Sequence, residues 1–194
     1  MMFNQKSLLA KSISELCFTA FDFETTGLYA GIDRIIEIGA IKFRQDNICD
    51  RFHSLIDPHM PVSPEASRVN RITNKMLKGK PELAKIIPDF IEFIKGTVLI
   101  AHNARFDMGF LSHALKRLGL PAIDPPVLDT QRLSHLAFPG MRNYRLQHLA
   151  SQLAIRVENS HRAMDDTRVC MEIFLCCVKN ISMGEEITLD ELLN

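Results

Sequence analysis

CFTAFDFE, residues 17–24, decides how the rest of the chain is read. It reads as a β-strand that ends in a turn at Thr26-Gly27. Alternate residues of a strand share a face, so Asp22 and Glu24 project together with Cα atoms roughly 7 Å apart, close enough to share cations. Phe18 and Ala20 precede them on that face. The face therefore changes from core to acid at the C-terminal end of the strand, which is where α/β sheets place their sites. The plainer alternative is a frayed strand end with two solvated acids.

Working outward, RIIEIGAIKF (34–43) and RFHSLI (51–56) predict two more strands, near enough in sequence to form an antiparallel meander with the first. Pro58, Pro61 and Pro64 mark a loop, and a helix is expected to begin near Thr73. A second helical pattern covers 81–95, with Pro88 kinking or restarting it. TVLIA (97–101) predicts a short buried strand, 104–118 a helix ended by Gly119, and VLDT (127–130) a fifth strand. Helical patterns follow at 130–137, 145–153, 163–179 and 188–193. Strands first and strand–helix alternation afterwards predict one α/β domain, a mixed sheet covered by helices. The expected division is an N-terminal extension over 1–16, the domain over 17–180, and a C-terminal tail over 181–194 with a short helix.

The 194 residues suffice for one sizeable core and not for two ordinary domains. With 46% hydrophobic and 24% charged residues the composition is globular, which speaks against disorder. No apolar run approaches the ~20 residues of a membrane helix, and residues 1–18 carry no recognisable signal peptide. Five cysteines, none in a C-x-x-C pair, argue against a disulfide framework or structural zinc and for a reducing cytoplasm. A net charge of +0 argues against indiscriminate nucleic-acid binding, yet the charge is segregated. Residues 66–80 hold Arg68, Arg71, Lys75, Lys78 and Lys80 without an acid, and residues 130–157 hold Arg132, Arg142, Arg145 and Arg156 without one. Each segment can be an ordinary solvated face, or part of a phosphate track.

In the helix predicted over 104–118, Phe110, Leu111, Ala114 and Leu118 all fall within about 60° of Asp107 on a wheel of roughly 100° per residue. A carboxylate in the middle of an apolar stripe is costly; it needs a cation, hydrogen bonds or a raised pKa, or else a structural salt bridge. In the helix after His161, Ala163, Thr167, Cys170, Phe174 and Cys177 form the inward face. Asp166 borders that face, whereas Asp165 is expected to point to solvent, where it suits the helix macrodipole. Four inward acids from three segments would repel one another, and two divalent cations would balance them. All-oxygen ligation favours Mg²⁺ or Mn²⁺, and two such ions form the usual clamp for in-line phosphoryl transfer.

FDFETTGL (21–28), AHNARFD (101–107) and HRAMDDT (161–167), in this order, resemble the three motifs of the DEDDh superfamily of exonucleases. That superfamily includes the epsilon proofreading subunits of bacterial replicative polymerases, ribonuclease T and oligoribonuclease. The similarity runs over roughly residues 17–179, with RIIEIGAIKF, VLDT and YRLQHLASQLAI as supporting pieces. It implies a ribonuclease H-like fold, with a mixed five-stranded sheet flanked by helices, and a metal-dependent 3′→5′ exonuclease that releases 5′-mononucleotides. It further implies that Asp22, Glu24 and Asp166 hold one metal ion, that Asp22 bridges to a second, and that Asp107 holds the second mainly through water. His161 is implied as the general base for the attacking water. Thr25, Thr26 and Gly27 are implied to present backbone and hydroxyl groups to the terminal nucleotide, while Asn103 supports the site or is simply a turn residue. The loop VNRIT (69–73) departs from relatives that have His before Gly-Ile-Thr, so a contact of Arg71 and Ile72 with the terminal base or backbone carries over only loosely. His53, His59, His113, His135 and His148 fit no ligand spacing and read as structural or surface residues; His102 reads as buried against its strand.

The E-T-T-G turn and the I-E-I-G-A strand are closer to the epsilon-type proofreaders. This favours DNA, with single-stranded or frayed 3′ ends as substrate, a nucleoside monophosphate as product and a DNA polymerase subunit as candidate partner. Cleavage of RNA ends, as by ribonuclease T or oligoribonuclease, is the alternative. A haloacid-dehalogenase-type phosphatase shares D-x-acid-T-T-G loosely but gives no reason for Asp107 or His161. A non-catalytic polymerase-binding module would keep the fold, yet all five expected active-site residues are present.

Overall fold

Five strands form the sheet at the centre of the computed structural model, which describes residues 8–193. The first seven residues of the expected N-terminal extension, and the last of the tail, lie outside the described residues. β1 (Phe18–Thr25), β2 (Ile35–Arg44), β3 (Asn47–Leu55), β4 (Val98–Ala101) and β5 (Val127–Asp129) stand in the order β3-β2-β1-β4-β5. β1, β2 and β3 pair antiparallel, as a meander must; β4 and β5 join parallel after helical crossovers. β3 begins at Asn47 rather than at 51. Its first residues are exposed on an edge strand, so no buried alternation marks them.

After a short 3-10 turn at Ile13–Glu15, the α-helices are α1 (Pro64–Asn70), α2 (Asn74–Leu77), α3 (Leu83–Ile94), α4 (Ala104–Arg117), α5 (Thr130–Ala137), α6 (Leu146–Gln152), α7 (Ala163–Ser182) and α8 (Leu189–Leu193). None is long and apolar enough to cross a membrane. α1 lies where the prolines predicted loop. Ser63 caps it, its Oγ accepting from the Ala66 N–H at 3.0 Å, and Pro64 takes the first helical position, where a missing N–H costs nothing. Pro88 neither breaks nor restarts α3, because it sits on the exposed side, where water can take the carbonyl it leaves unpaired.

Helices cover both faces of the sheet. Phe18, Ala20, Ile41, Phe43, Val98 and Ile100 pack under α5 to α8 around Leu133 and Phe174. Phe21, Phe23, Ile38, Ala40 and Leu99 pack under α3 and α4 around Phe90, Phe110 and Leu111. One glycine sets how close α7 comes. Gly39 of β2 pairs with Asp22, and a Cβ there would lie 2.4 Å from the carbonyl carbon of Ala163. The first turn of α7 thus rests directly on the sheet, fastened by a 3.0 Å hydrogen bond from the Thr167 hydroxyl to the Gly39 carbonyl.

Candidate active site

Asp22 and Glu24 stand half-buried at the end of β1, on the face that Phe18 and Ala20 occupy further back. The close seat of α7 brings Asp166 to them. One carboxylate oxygen from each of Asp22, Glu24 and Asp166 lies within 4.8 Å of the others. Asp166 is only 5% exposed, and both its oxygens are held: Gln147 Nε2 donates to Oδ1 and the His161 N–H to Oδ2, each at 2.8 Å. Asp107, in the first turn of α4, is 2% exposed and approaches from the other side. β4 pairs with β1 only as far as Ala20, so the Phe23 N–H lies beyond it, and Asp107 Oδ1 accepts that N–H at 3.0 Å.

Burial disfavours the charged form of all four acids, and repulsion from neighbouring acids adds to it. Asp22 is pushed well above the usual carboxylate range by burial, then by Asp107, Glu24 and Asp166. Burial and the nearby Asp166 push Glu24 up to about 8, against a side-chain hydrogen bond from Asn70. Burial takes Asp107 to about 8 even though the Phe23 N–H favours its charge. Asp166 rises to about 6, again through burial, with His161 pulling the other way. None of the four forms an ion pair with Lys or Arg among the described residues. Glu37 is the contrast. Burial works against its carboxylate as well, yet His53, Arg162 and the Ala163 N–H bring it down to about 2.

His161 is exposed, on the loop before α7, with a left-handed φ of 60°. The two residues that follow it are anchored. Arg162 grips Glu37 through two bonds, Nη2 to Oε1 at 2.7 Å and Nε to Oε2 at 3.1 Å, and the Ala163 N–H adds a third at 3.2 Å. Asp165 does not point to solvent as the helical wheel predicted. Its side chain is 10% exposed, accepts from the N–H groups of Glu158 and Asn159 at 2.8 and 2.7 Å, and pairs with Arg168 at 2.7 Å. The wheel misplaces it because the loop folds back over that side of α7. His53 takes the structural one of its two expected roles, its Nε2 lying 2.8 Å from Glu37 Oε1. His102 is half-buried between the Thr130 hydroxyl and the Tyr144 carbonyl.

Beside Glu24 opens a cleft of about 420 Å³, mainly apolar, whose walls include Phe23, Thr25, Gly27, Leu28, Asn70 and Phe106. Thr25 and Gly27 face it, but the expected offer of hydroxyl groups needs correction. The Thr25 hydroxyl donates to the Gly27 carbonyl at 2.5 Å. Thr26 is 1% exposed, and its hydroxyl donates to Asp33 and accepts from the Arg34 N–H, both at 3.0 Å. Both are consumed in closing the turn, and a Cβ on Gly27 would lie 2.5 Å from the Asp33 carboxylate oxygens. Ile72 also needs correction. It is fully buried with Ile36, Val62 and Leu77, so its side chain has no face to offer a base. Arg71 is exposed and ends α1 at φ 60°, a conformation that suits glycine. Asn103 is in the left-handed region too and starts α4 without a side-chain cap; its N–H and that of Ala104 donate to Asp129, each at 3.0 Å.

Three residues near the acids escaped sequence reasoning. Asn70, 2% exposed, hydrogen-bonds Glu24 and donates to the Thr25 carbonyl at 3.3 Å. It ends α1, within VNRIT (69–73). Gln147, which holds Asp166, lies within YRLQHLASQLAI, and Asp129, which holds the start of α4, within VLDT; neither segment's own pattern reveals these contacts.

A mixed sheet with acids at the end of its central strand and on two helix first turns, beside a nucleotide-sized cleft, is the arrangement of a phosphodiester-cleaving nuclease. The chain belongs to the exonuclease family of ribonuclease T type, whose family model matches residues 19–174. It is 49% identical over 161 residues to the DNA polymerase III epsilon subunit of Treponema pallidum, covering 82% of this chain and 75% of that one. It is 40% identical over 158 residues to the PolC-type DNA polymerase III of Caldanaerobacter subterraneus, where 81% of this chain corresponds to 11% of a much longer protein. Among solved structures, exonuclease X in complex with 5′-overhanging duplex DNA is 26% identical, with a TM-score of 0.69 over 91% of this chain and 99% of that one. Escherichia coli exonuclease I in complex with a dA16 oligonucleotide shares the fold, at 19% identity and a TM-score of 0.76 over 86% of this chain and 41% of that one.

Proposed function

We propose that this chain is a 3′→5′ exonuclease of DNA that removes 5′-mononucleotides from single-stranded or frayed ends, using two Mg²⁺ or Mn²⁺ ions. The observation that carries this reading is the convergence of Asp22, Glu24 and Asp166 within 4.8 Å, none of them in an ion pair with Lys or Arg among the described residues. Such a cluster of oxygen donors fits hard divalent ions, which Asp22, Glu24 and Asp166 would hold with support from the charge of Asp107. Bound there, the ions supply charge compensation at the scissile phosphate and acidify the attacking water.

The chain's own residues supply the rest. The cleft takes the terminal base between Phe23, Leu28 and Phe106, which requires that base to leave its duplex stack. His161, exposed on its loop, accepts a proton from water as oxygen attacks phosphorus. The bond from phosphorus to the 3′ oxygen of the preceding nucleotide breaks, and that oxygen takes up a proton from solvent, leaving a new 3′-hydroxyl and a free 5′-mononucleotide. Arg68, Arg71, Lys75, Lys78 and Lys80 are all exposed on or near α1 and α2, and α1 forms one wall of the cleft, so this segment suits the phosphates of the retained strand. The second basic segment suits it less, since Arg132 donates to the Leu193 carbonyl and Arg156 lies 3.7 Å from Glu158. Identity to an epsilon subunit favours DNA over RNA, and work beside a replicative polymerase in the cytoplasm.

The test uses matched DNA and RNA oligonucleotides labelled at the 5′ end, plus a covalently closed circular single strand. Stepwise shortening of the DNA from its 3′ end, slower loss of RNA and an intact circle are expected. Cutting of the circle would refute an exonuclease, and faster loss of RNA would reassign the substrate.

A further inference from the structure

We infer that Asp165, backed by Arg168, is a positioning residue for His161: it fixes the 156–161 loop so that the imidazole is presented to the acid cluster. The inference deepens the proposed function and rests on His161 acting there as general base.

The His161 ring has no hydrogen bond of its own among the described residues, so nothing grips the imidazole directly. Where the ring can reach is set first by the backbone that carries it. That backbone is in the left-handed region, which costs a non-glycine residue on the order of 1 kcal/mol and persists only where the surroundings hold it. The holding groups are two adjacent acids in the first turn of α7. Asp166 takes the N–H of His161 itself, while Asp165 takes those of Glu158 and Asn159 with one oxygen. The other oxygen of Asp165 faces Arg168, with Nη2 at 2.7 Å and Nε at 3.1 Å. Arg168 also donates to the Arg156 carbonyl and to Glu172, each at 2.5 Å, which ties the start of the loop to the body of α7. The neighbours thus divide the work: Asp166 faces the cluster, and Asp165 faces the loop that carries the base.

Kinetics of the full chain at saturating Mn²⁺ test this. A displacement of about 1 Å at a reacting group costs up to about 10²-fold in rate. Arg168→Ala should therefore lower kcat about 10- to 100-fold while the KM for a DNA oligonucleotide and the Mn²⁺ concentration at half-maximal rate stay within about 2-fold. Arg168→Lys, which keeps a cation opposite Asp165, should recover part of the loss, and serves in the same scheme if Arg168→Ala does not fold. The deciding step is a double-mutant cycle. In a His161→Ala background, the Arg168 substitution should cost nothing further, because its effect runs through the missing imidazole. An undiminished effect in that background would overturn the inference and leave the base assignment intact, as would an unchanged kcat in Arg168→Ala or a loss that added Mn²⁺ removes. An unchanged kcat in His161→Ala alone would overturn the base assignment, and the inference with it.

Discussion

Replacing Asp107 with asparagine should stabilise the metal-free protein while abolishing turnover, and the pH dependence of that gain tests the electrostatics of the site. Burial raises the Asp107 carboxyl from its ordinary 3.8 to about 8. A group whose folded pKa is raised contributes stability that is full below the ordinary value and lost as pH rises through the folded one. At ~1.4 kcal/mol per pH unit, the loss between pH 5 and pH 8 is on the order of 4 kcal/mol for this group, an upper value because Asp22 shares in the titration. Asparagine does not ionise, and its carbonyl can still accept the Phe23 N–H. Any cost of seating its amide is the same at every pH. For a domain of this size each kcal/mol moves Tm by about 2–4 °C, so with a chelator present the variant's lead over wild type should widen by up to about 8–16 °C between pH 5 and pH 8. Saturating Mn²⁺ should narrow or reverse the lead, since the wild type gains the binding free energy and the variant has lost a charge that supports it. Thermal melts in chelator across that range decide the matter. A lead that stays constant with pH would show that the carboxyl is not held protonated by its surroundings.

Chelation should abolish nuclease activity, and Asp22→Asn, Glu24→Gln and Asp166→Asn should each lower it by orders of magnitude at any Mg²⁺ concentration; retention of more than about a tenth of the wild-type rate in any one would remove that residue from the metal set. Asn70→Ala should lower stability by about 1–3 kcal/mol in urea denaturation, because it leaves buried partners without a hydrogen bond, and should raise KM by loosening the Glu24 side of the cleft. An unchanged KM would make Asn70 purely structural.

What could be read in the sequence follows from how far periodicity reaches. Asp22 and Glu24 share a strand with Phe18 and Ala20, and Asp107 shares a helix with Phe110 and Leu111, so one element's own pattern reveals each acid against an apolar background. The five strands and the long helices are visible for the same reason. Misplaced residues are those whose surroundings belong to another segment. Asp165 looks solvated on the wheel of α7 because the covering loop is not part of that wheel. Ile72 sits in a coil whose burial depends on Ile36 of β2 and Leu77 of α2. Thr25 and Thr26 look available because Asp33, seven residues beyond Thr26, closes the turn. α1 was hidden behind Pro64, a residue that suits a first turn as well as a loop.

The buried acids themselves separate structural from functional use of charge. Asp22, Glu24, Glu37 and Asp166 all stand where β1 and β2 meet the first turn of α7, and burial penalises each. Glu37 has Arg162 and His53 against its oxygens, and its charge is favoured. Among the described residues the hydrogen-bond donors to Glu24 and Asp166 are neutral, the Asn70 and Gln147 amides and the His161 N–H, and the charge of Asp22, Glu24 and Asp166 is disfavoured. Neutral donors orient a carboxylate without cancelling its charge, so lone pairs remain for a cation that is not part of the chain. An arginine placed there would stabilise the fold and compete with that cation. Arg162 is within electrostatic reach of Glu24 yet committed to Glu37, so this cation is held one acid away from the cluster. Moving that grip, by Glu37→Gln, would release Arg162 to pair with Glu24.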